Sequence, residues 1–179
     1  MTLKAGDTLD LAPLGFTLSI RKTAAETGGE SFETEMVLAP NRGGTPIHVP
    51  IHVHPKAIET FEALSGTFEI YVDGAWRPVK TGERVGVPRG VLHSFRNPGS
   101  EPARVYNTHK PALRYDEYFE GLWRVTESGM VKAGVKNWQA VLALSALTSA
   151  YPEEIRSVSP PNLVVRALGA FGAWLGYGP

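Results

Sequence analysis

The stretch HVHPKAIETFEALSG, His52 to Gly66, decides how this chain is read. Side chains two apart on a strand point the same way, so His52 and His54 aim their imidazoles at one spot. The chain holds only five histidines in 179 residues, and two of them stand here. Glu59 lies an odd number of residues further on and would face the opposite side of an unbroken strand. Pro55 resets the direction. The strand that resumes then carries Glu59, Phe61 and Ala63 on one face, with Thr60, Glu62 and Leu64 on the other. An inward Phe61 brings Glu59 inward and sends Glu62 out.

A second segment, GERVGVPRGVLHSFRN, runs from Gly82 to Asn97. Pro88-Arg89-Gly90 reads as a turn. The strand after it places His93 and Phe95 together, against Ser94 and Arg96. With that face inside, three imidazoles and one carboxylate converge from separate strands. Such a set suits one divalent first-row metal ion with positions left open for water or substrate.

The surroundings of both segments read as β-structure. Phe16, Leu18 and Ile20 alternate with polar residues. Phe32, Thr34, Met36 and Leu38 alternate with Glu33, Glu35 and Val37, and Phe68, Ile70 and Val72 with Thr67, Glu69 and Tyr71, which is the signal of half-buried strands. Asp73-Gly74 between two such runs predicts a tight hairpin. Many short strands separated by turn residues predict a sandwich or barrel. After Lys110-Pro111 the spacing turns helical, over Tyr115 to Ser128, Trp138 to Ile155 and Asn162 to Tyr177, and Ser159-Pro160-Pro161 is a helix-start signal. The expected organisation is a β-barrel over residues 1–112 and a helical extension over 113–179, forming one structural unit.

Composition narrows the rest. Hydrophobic residues make up 42% and charged residues 20%, as in a soluble globular protein. Eighteen basic residues balance eighteen acidic ones, which gives no pull toward nucleic acid or anionic membranes. Without cysteine, disulfides and thiolate metal sites are excluded. No secretory signal is found at the N-terminus, and a cytoplasmic protein is expected. The last helix is nearly all apolar (Leu163, Val164, Val165, Leu168, Phe171, Trp174 and Leu175), with Arg166 its only charge. It is expected to pack on the barrel or in a dimer interface, with membrane-surface contact as the alternative. Gly169, Gly172 and Gly176 interrupt it, and the run is too short for a membrane span.

The two segments resemble the signature motifs of the cupin superfamily. The first, G-x5-H-x-H-x4-E-x6-G, is met by His52, His54, Glu59 and Gly66. Its opening glycine is displaced: Pro46 holds that position and Gly44 lies two residues earlier, as a small loop insertion would cause. The second, G-x5-P-x-G-x2-H-x3-N, is met at Gly82, Pro88, Gly90, His93 and Asn97. The resemblance implies a jelly-roll barrel, the cupin double-stranded β-helix. It also implies that His52, His54, Glu59 and His93 hold one divalent ion, whether Fe, Mn, Ni or Zn. Many cupins with three histidines and one glutamate are dioxygenases, so oxidoreductase chemistry on a small organic molecule is implied, with Glu59 as ligand or proton acceptor. A homodimer is implied as well.

Two other functions stay open. One is a metal-containing protein that binds or senses a small ligand without turnover. The other is an isomerase or hydrolase using Zn(II) to polarise a carbonyl. Sugar-nucleotide chemistry would want a basic cavity, and the inward set holds no Arg or Lys. Phe16, Phe32, Met36, Phe61, Phe68, Ile70 and Phe95 are expected in the core, and Met36, Phe61, Phe68 and Phe95 are candidates to border the substrate pocket. His48, about 13 Å from His52 on an extended strand, is expected on a loop or rim, with substrate contact as the alternative. In ARVYNTH, either Val105, Asn107 and His109 or Arg104, Tyr106 and Thr108 face inward, so Tyr106 or Asn107 is a further pocket candidate.

Overall fold

Period-two alternation gives each strand one apolar side, and two sheets close those sides on each other. The computed structural model describes residues 2–44, 46, 48–131 and 137–177. In chain order the strands are β1 (Thr8–Leu11), β2 (Phe16–Lys22), β3 (Phe32–Leu38), β4 (His52–Val53), β5 (Ile58–Ser65), β6 (Phe68–Val72), β7 (Ala75–Val79), β8 (Arg84–Val87), β9 (His93–Arg96), β10 (Ala103–Lys110) and β11 (Arg156–Ser157). The helices are α1 (Tyr115–Glu127), α2 (Trp138–Ala150) and α3 (Asn162–Trp174). One six-stranded sheet has the order β1-β2-β3-β10-β5-β8, and the five-stranded sheet facing it runs β11-β4-β9-β6-β7. The pairings are antiparallel, and the two sheets form a jelly-roll barrel.

The expected alternation holds strand by strand: Phe16, Leu18 and Ile20 of β2 and Phe32, Met36 and Leu38 of β3 are buried. At the centre, Phe61, Phe68 and Phe95 pack together with ring centroids 5.2 to 6.1 Å apart. Burying each such ring contributes about 1.5–3 kcal/mol. The outer side of the six-stranded sheet is polar. Glu35 bridges Arg21 and Arg104, both at 2.6 Å, and Glu33 accepts from the Tyr106 hydroxyl at 2.6 Å. The β6–β7 hairpin turns at Asp73 (φ 53°) and Gly74 (φ 82°), the two left-handed residues of a type I′ turn.

The helical segments differ from expectation at their ends. Asn137 caps α2, accepting from the Ala140 N–H at 2.8 Å. The helix stops at Ala150 rather than running to Ile155, because Pro152 disfavours helical backbone at Tyr151 and supplies no N–H. At the end of α3, the N–H groups of Gly176 and Tyr177 bond back to Ala173 and Gly172 at 3.0 and 2.9 Å, with Gly176 at φ 87°. This is a Schellman motif, and it ends the helix short of Tyr177. α1 buries Tyr115, Tyr118 and Leu122 against the barrel. α3 packs on α2 rather than across the strands. Gly169 and Gly172 bring the backbones so close that an added Cβ would lie 2.6 Å from the Ser145 carbonyl oxygen or 2.8 Å from that of Leu142. Leu163, Phe171 and Trp174 are left on the outside at 79%, 50% and 78% exposure.

Gly66 closes the first motif in the turn between β5 and β6. Its φ is 79°, and an added Cβ would overlap the Pro102 carbonyl oxygen and lie 2.7 Å from the Ala103 Cα. Gly74 has a similar φ but open space around it. Gly74→Ala is therefore expected to cost only the left-handed strain, about 1–2 kcal/mol. Gly66→Ala adds a backbone collision and should exceed about 3 kcal/mol. Chemical denaturation of both variants checks the difference, and equal losses would contradict the collision.

Candidate metal centre

Strand parity and register bring the four motif side chains together. His52 on β4 stands directly opposite His93 on β9. Pro55 breaks β4, and the chain returns as β5 with Glu59 turned inward and Glu62 outward beside Arg84. The Gly90 N–H reaches the His54 carbonyl at 2.9 Å and ties the second motif's turn to the first motif. One potential ligand atom from each of His52, His54, Glu59 and His93 lies within 4.8 Å of the others. None of the four residues is more than 4% exposed.

Hydrogen bonds fix which ring nitrogen faces inward. The Nδ1–H of His52 donates to the Pro50 carbonyl at 2.8 Å, and that of His93 donates to Val91 at 2.9 Å. The Nδ1 of His54 lies 2.5 Å from the Glu154 carbonyl oxygen. Carbonyl oxygens only accept, so each Nδ1 carries the proton and each Nε2 presents a lone pair. For His54 and His93 that nitrogen meets Glu59 Oε2, at 3.1 and 2.7 Å. Lone pairs pointed at a carboxylate repel unless a cation stands between them. Three imidazole nitrogens and one carboxylate oxygen are a donor set for a divalent transition metal, so the residues fit the ion.

Burial works against charge on Glu59, yet His54 and His109 hold its carboxyl well below the usual carboxylate range. Burial, with His93 and His54 adding to it, pushes His52 well below the usual imidazole range and keeps it neutral. For His93 burial also lowers the pKa, but the Glu59 bond and charge outweigh it and leave the value raised. His93 is thus where a proton competes with a metal ion for the Glu59 carboxylate.

The second oxygen of Glu59 has its own partners. Oε1 accepts from the Asn107 amide at 2.8 Å and lies 3.3 Å from His109 Nε2. Register explains this, because His109 on β10 is the direct partner of Glu59 on β5. The inward set of β10 is therefore Val105, Asn107 and His109, all buried. Burial, the leading cause, lowers the His109 pKa despite Glu59. His109 stacks on Tyr115 with ring centroids 3.9 Å apart, and its Nδ1 is a buried atom without a hydrogen-bond partner among the described residues.

The remaining candidates divide. Tyr106 does not line this site. It belongs to the outward set of β10, where its hydroxyl donates to Glu33, and burial together with that bond raises its pKa to about 12. Phe61 borders the site, 6.5 Å from the His93 ring, and Phe95 packs on Phe61 with its ring tilted by 56°. Phe68 and Met36 are core residues. His48 is exposed and edge-on to Trp76. His48 and Phe95 both line a cavity of about 270 Å3 at the end of β9 away from His93, with Phe16, Leu38, Asn41, Arg42 and Arg96 also in its wall and none of the four candidate ligands. The two arginines in its wall are not part of the inward set around the candidate ligands. Arg42 comes from the loop after β3, where no alternation marks direction. Arg96 is turned outward, paired with Glu69 at 2.7 Å and lying over Trp76. Asn97 is structural: its amide binds the Glu101 and Ala39 carbonyls and its oxygen takes the Gly99 N–H.

The family model for the cupin domain Cupin_2 matches residues 34–109, which include all four candidate ligands. Over these residues the chain carries a cupin domain. The chain is 37% identical over 54 residues to protein SchB of Streptomyces halstedii, covering 30% of this chain and 39% of that one. It is 33% identical over 72 residues to germin-like protein 3-7 of Oryza sativa subsp. japonica, covering 36% and 31%. The chain thus spans well under half the length of these curated relatives. Among solved structures, a predicted oxalate decarboxylase from Thermotoga maritima aligns with a TM-score of 0.49 at 18% identity, over 54% of this chain and 80% of that one.

Removing a ligand should cost more than removing a neighbour of a ligand. His93→Ala is expected to abolish retention of a divalent ion through dialysis, whereas Asn107→Ala should weaken affinity by about 10-fold. Elemental analysis and chelator competition on untagged protein check both. Unchanged ion content in His93→Ala would contradict the assignment.

Proposed function

We propose that this chain holds one divalent transition metal ion and uses it for dioxygenase-type chemistry on a small organic molecule. One observation carries the reading: four electron-donating atoms on four buried side chains converge on one point. A redox-active ion such as Fe(II) or Mn(II) there would chelate substrate hydroxyl or carbonyl oxygens and make dioxygen reactive toward them. The chain's own contribution is positional. Glu59 serves through Oε2 as ligand, and Oε1, between Asn107 and His109, is the atom that would hold a substrate proton. Phe61 and Phe95 exclude water from one side of the site. A cavity at the end of β9 away from His93 combines Phe16, Leu38 and Phe95 with Asn41, Arg42 and His48. That lining suits a small aromatic or apolar molecule carrying an acidic or hydroxyl group.

The depth of the site favours a second reading, a metal-containing protein that binds or senses a small ligand without turnover. Oxygen uptake by Fe(II)-loaded protein, measured over a panel of phenolic and diketone compounds, separates the two. The dioxygenase predicts uptake with at least one compound, lost in His93→Ala. Full iron occupancy without uptake across the panel decides for the binding protein. The cysteine-free composition suits a reducing compartment, and we place the protein in the cytoplasm.

We also propose a homodimer formed through the outer side of α3. Among the described residues no helix is long and apolar enough to cross a membrane. Leu163, Phe171, Trp174 and Trp138 are nonetheless half or more exposed. Side chains of this size together offer surface on the order of the roughly 800 Å2 that each partner brings to a standard interface. A membrane-surface helix would carry Lys and Arg opposite its apolar side. Here the opposite side is the glycine seam against α2. Sedimentation should find a dimer that Leu163→Ser with Trp174→Ser converts to monomer. A wild-type monomer at micromolar concentration would refute this interface.

A further inference from the structure

The three imidazoles of the candidate centre are not oriented alike. His52 and His93 each donate Nδ1–H to a carbonyl two residues back, in the chain just before their own strand. His54 instead meets Glu154, one hundred residues away, in the strap Tyr151–Ser157 between α2 and α3. Tyr115 of α1 completes a triangle. Its hydroxyl donates to the same Glu154 carbonyl at 2.7 Å, and its oxygen lies 2.8 Å from His54 Nδ1. The opposite tautomer of His54 would set a bare nitrogen against a carbonyl oxygen at 2.5 Å, so the strap enforces Nδ1–H and aims Nε2 inward.

The strap is itself fixed to the ligand strand. β11 pairs with β4, setting Ser157 opposite His52 and Arg156 opposite Val53, and the Val158 N–H continues the ladder to Ile51 at 3.1 Å. The Glu154 carboxylate accepts the Arg114 N–H at the start of α1, at 3.1 Å. The backbone carbonyl of Glu154 is left to serve His54 and Tyr115.

We infer that the strap Tyr151–Ser157 and Tyr115 are positioning elements of the metal centre, so that docking of the helical extension and binding of a metal ion reinforce each other. This rests on the metal-binding reading above and adds to it a coupling between the site and a segment outside the matched domain. The coupling is reciprocal by thermodynamic necessity. Whatever the docked strap adds to metal affinity, the bound metal returns to docking of the strap.

Tyr115→Phe removes the hydroxyl and keeps the ring on His109. Co(II) serves as the probe, read by its absorption spectrum and by chelator competition. We expect Tyr115→Phe to bind Co(II) about 10-fold more weakly, with a shifted spectrum. In wild-type protein Co(II) should slow amide exchange across residues 151–157, and the slowing should shrink in the variant. Wild-type affinity and spectrum in the variant, or exchange in 151–157 indifferent to Co(II) in wild type, overturns the coupling alone. Failure of wild-type protein to take up Co(II) overturns the metal centre and the coupling with it. If Tyr115→Phe does not fold, the wild-type exchange measurement decides by itself.

Discussion

Everything at the centre of this barrel depends on one electrostatic constraint: the carboxylate of Glu59 faces imidazole nitrogens that are not free to turn away. Backbone carbonyls hold the outer nitrogens of His52, His54 and His93, so the inner ones present electron pairs. In water such an arrangement would dissipate by rotation or hydration. Inside a barrel with these residues at most 4% exposed it persists, and burial makes an unpaired charge there costly. A cation shared by the set removes the conflict, and a proton on His93 relieves only part of it. Residues around the four follow from the same need. Asn107 and His109 secure the far oxygen of Glu59, and the Phe61–Phe68–Phe95 cluster keeps the surroundings dry.

The barrel and the four candidate ligands were legible in the sequence because both depend on local parity. A period of two assigns faces, Pro55 marks where the assignment resets, and Asp73-Gly74 marks a turn whose backbone few other residues accept. What parity cannot do is choose between faces on a strand whose two faces look alike. Asn107 and His109 stand in ARVYNTH, where both sets mix polar and apolar residues. The choice is made by the neighbouring strand, since pairing of His109 with Glu59 carries the first face inward and leaves Tyr106 to Glu33 outside. Arg42 escaped for a related reason: it lies in a loop, and loops have no period.

Helix ends and the strap were illegible for different causes. The stop of α2 was available locally, in Tyr151-Pro152, but helical spacing continued past it and masked the signal. Tyr115 reads as an ordinary apolar position at the start of an amphipathic helix. Its role exists only because the fold brings it to His54, 61 residues earlier. Glu154 is harder still, since the group that matters is its main-chain oxygen.

That main-chain oxygen has a consequence for how the protein can change over generations. Any amino acid at position 154 supplies a carbonyl, so substitution there alters the side-chain bond to Arg114 and leaves the acceptor for His54 in place. A lineage could exchange this residue repeatedly while its geometry went unaltered, and comparison of sequences would score the site as unconstrained. Selection would act instead on the length of the connection around it, where a single deletion would withdraw the acceptor altogether.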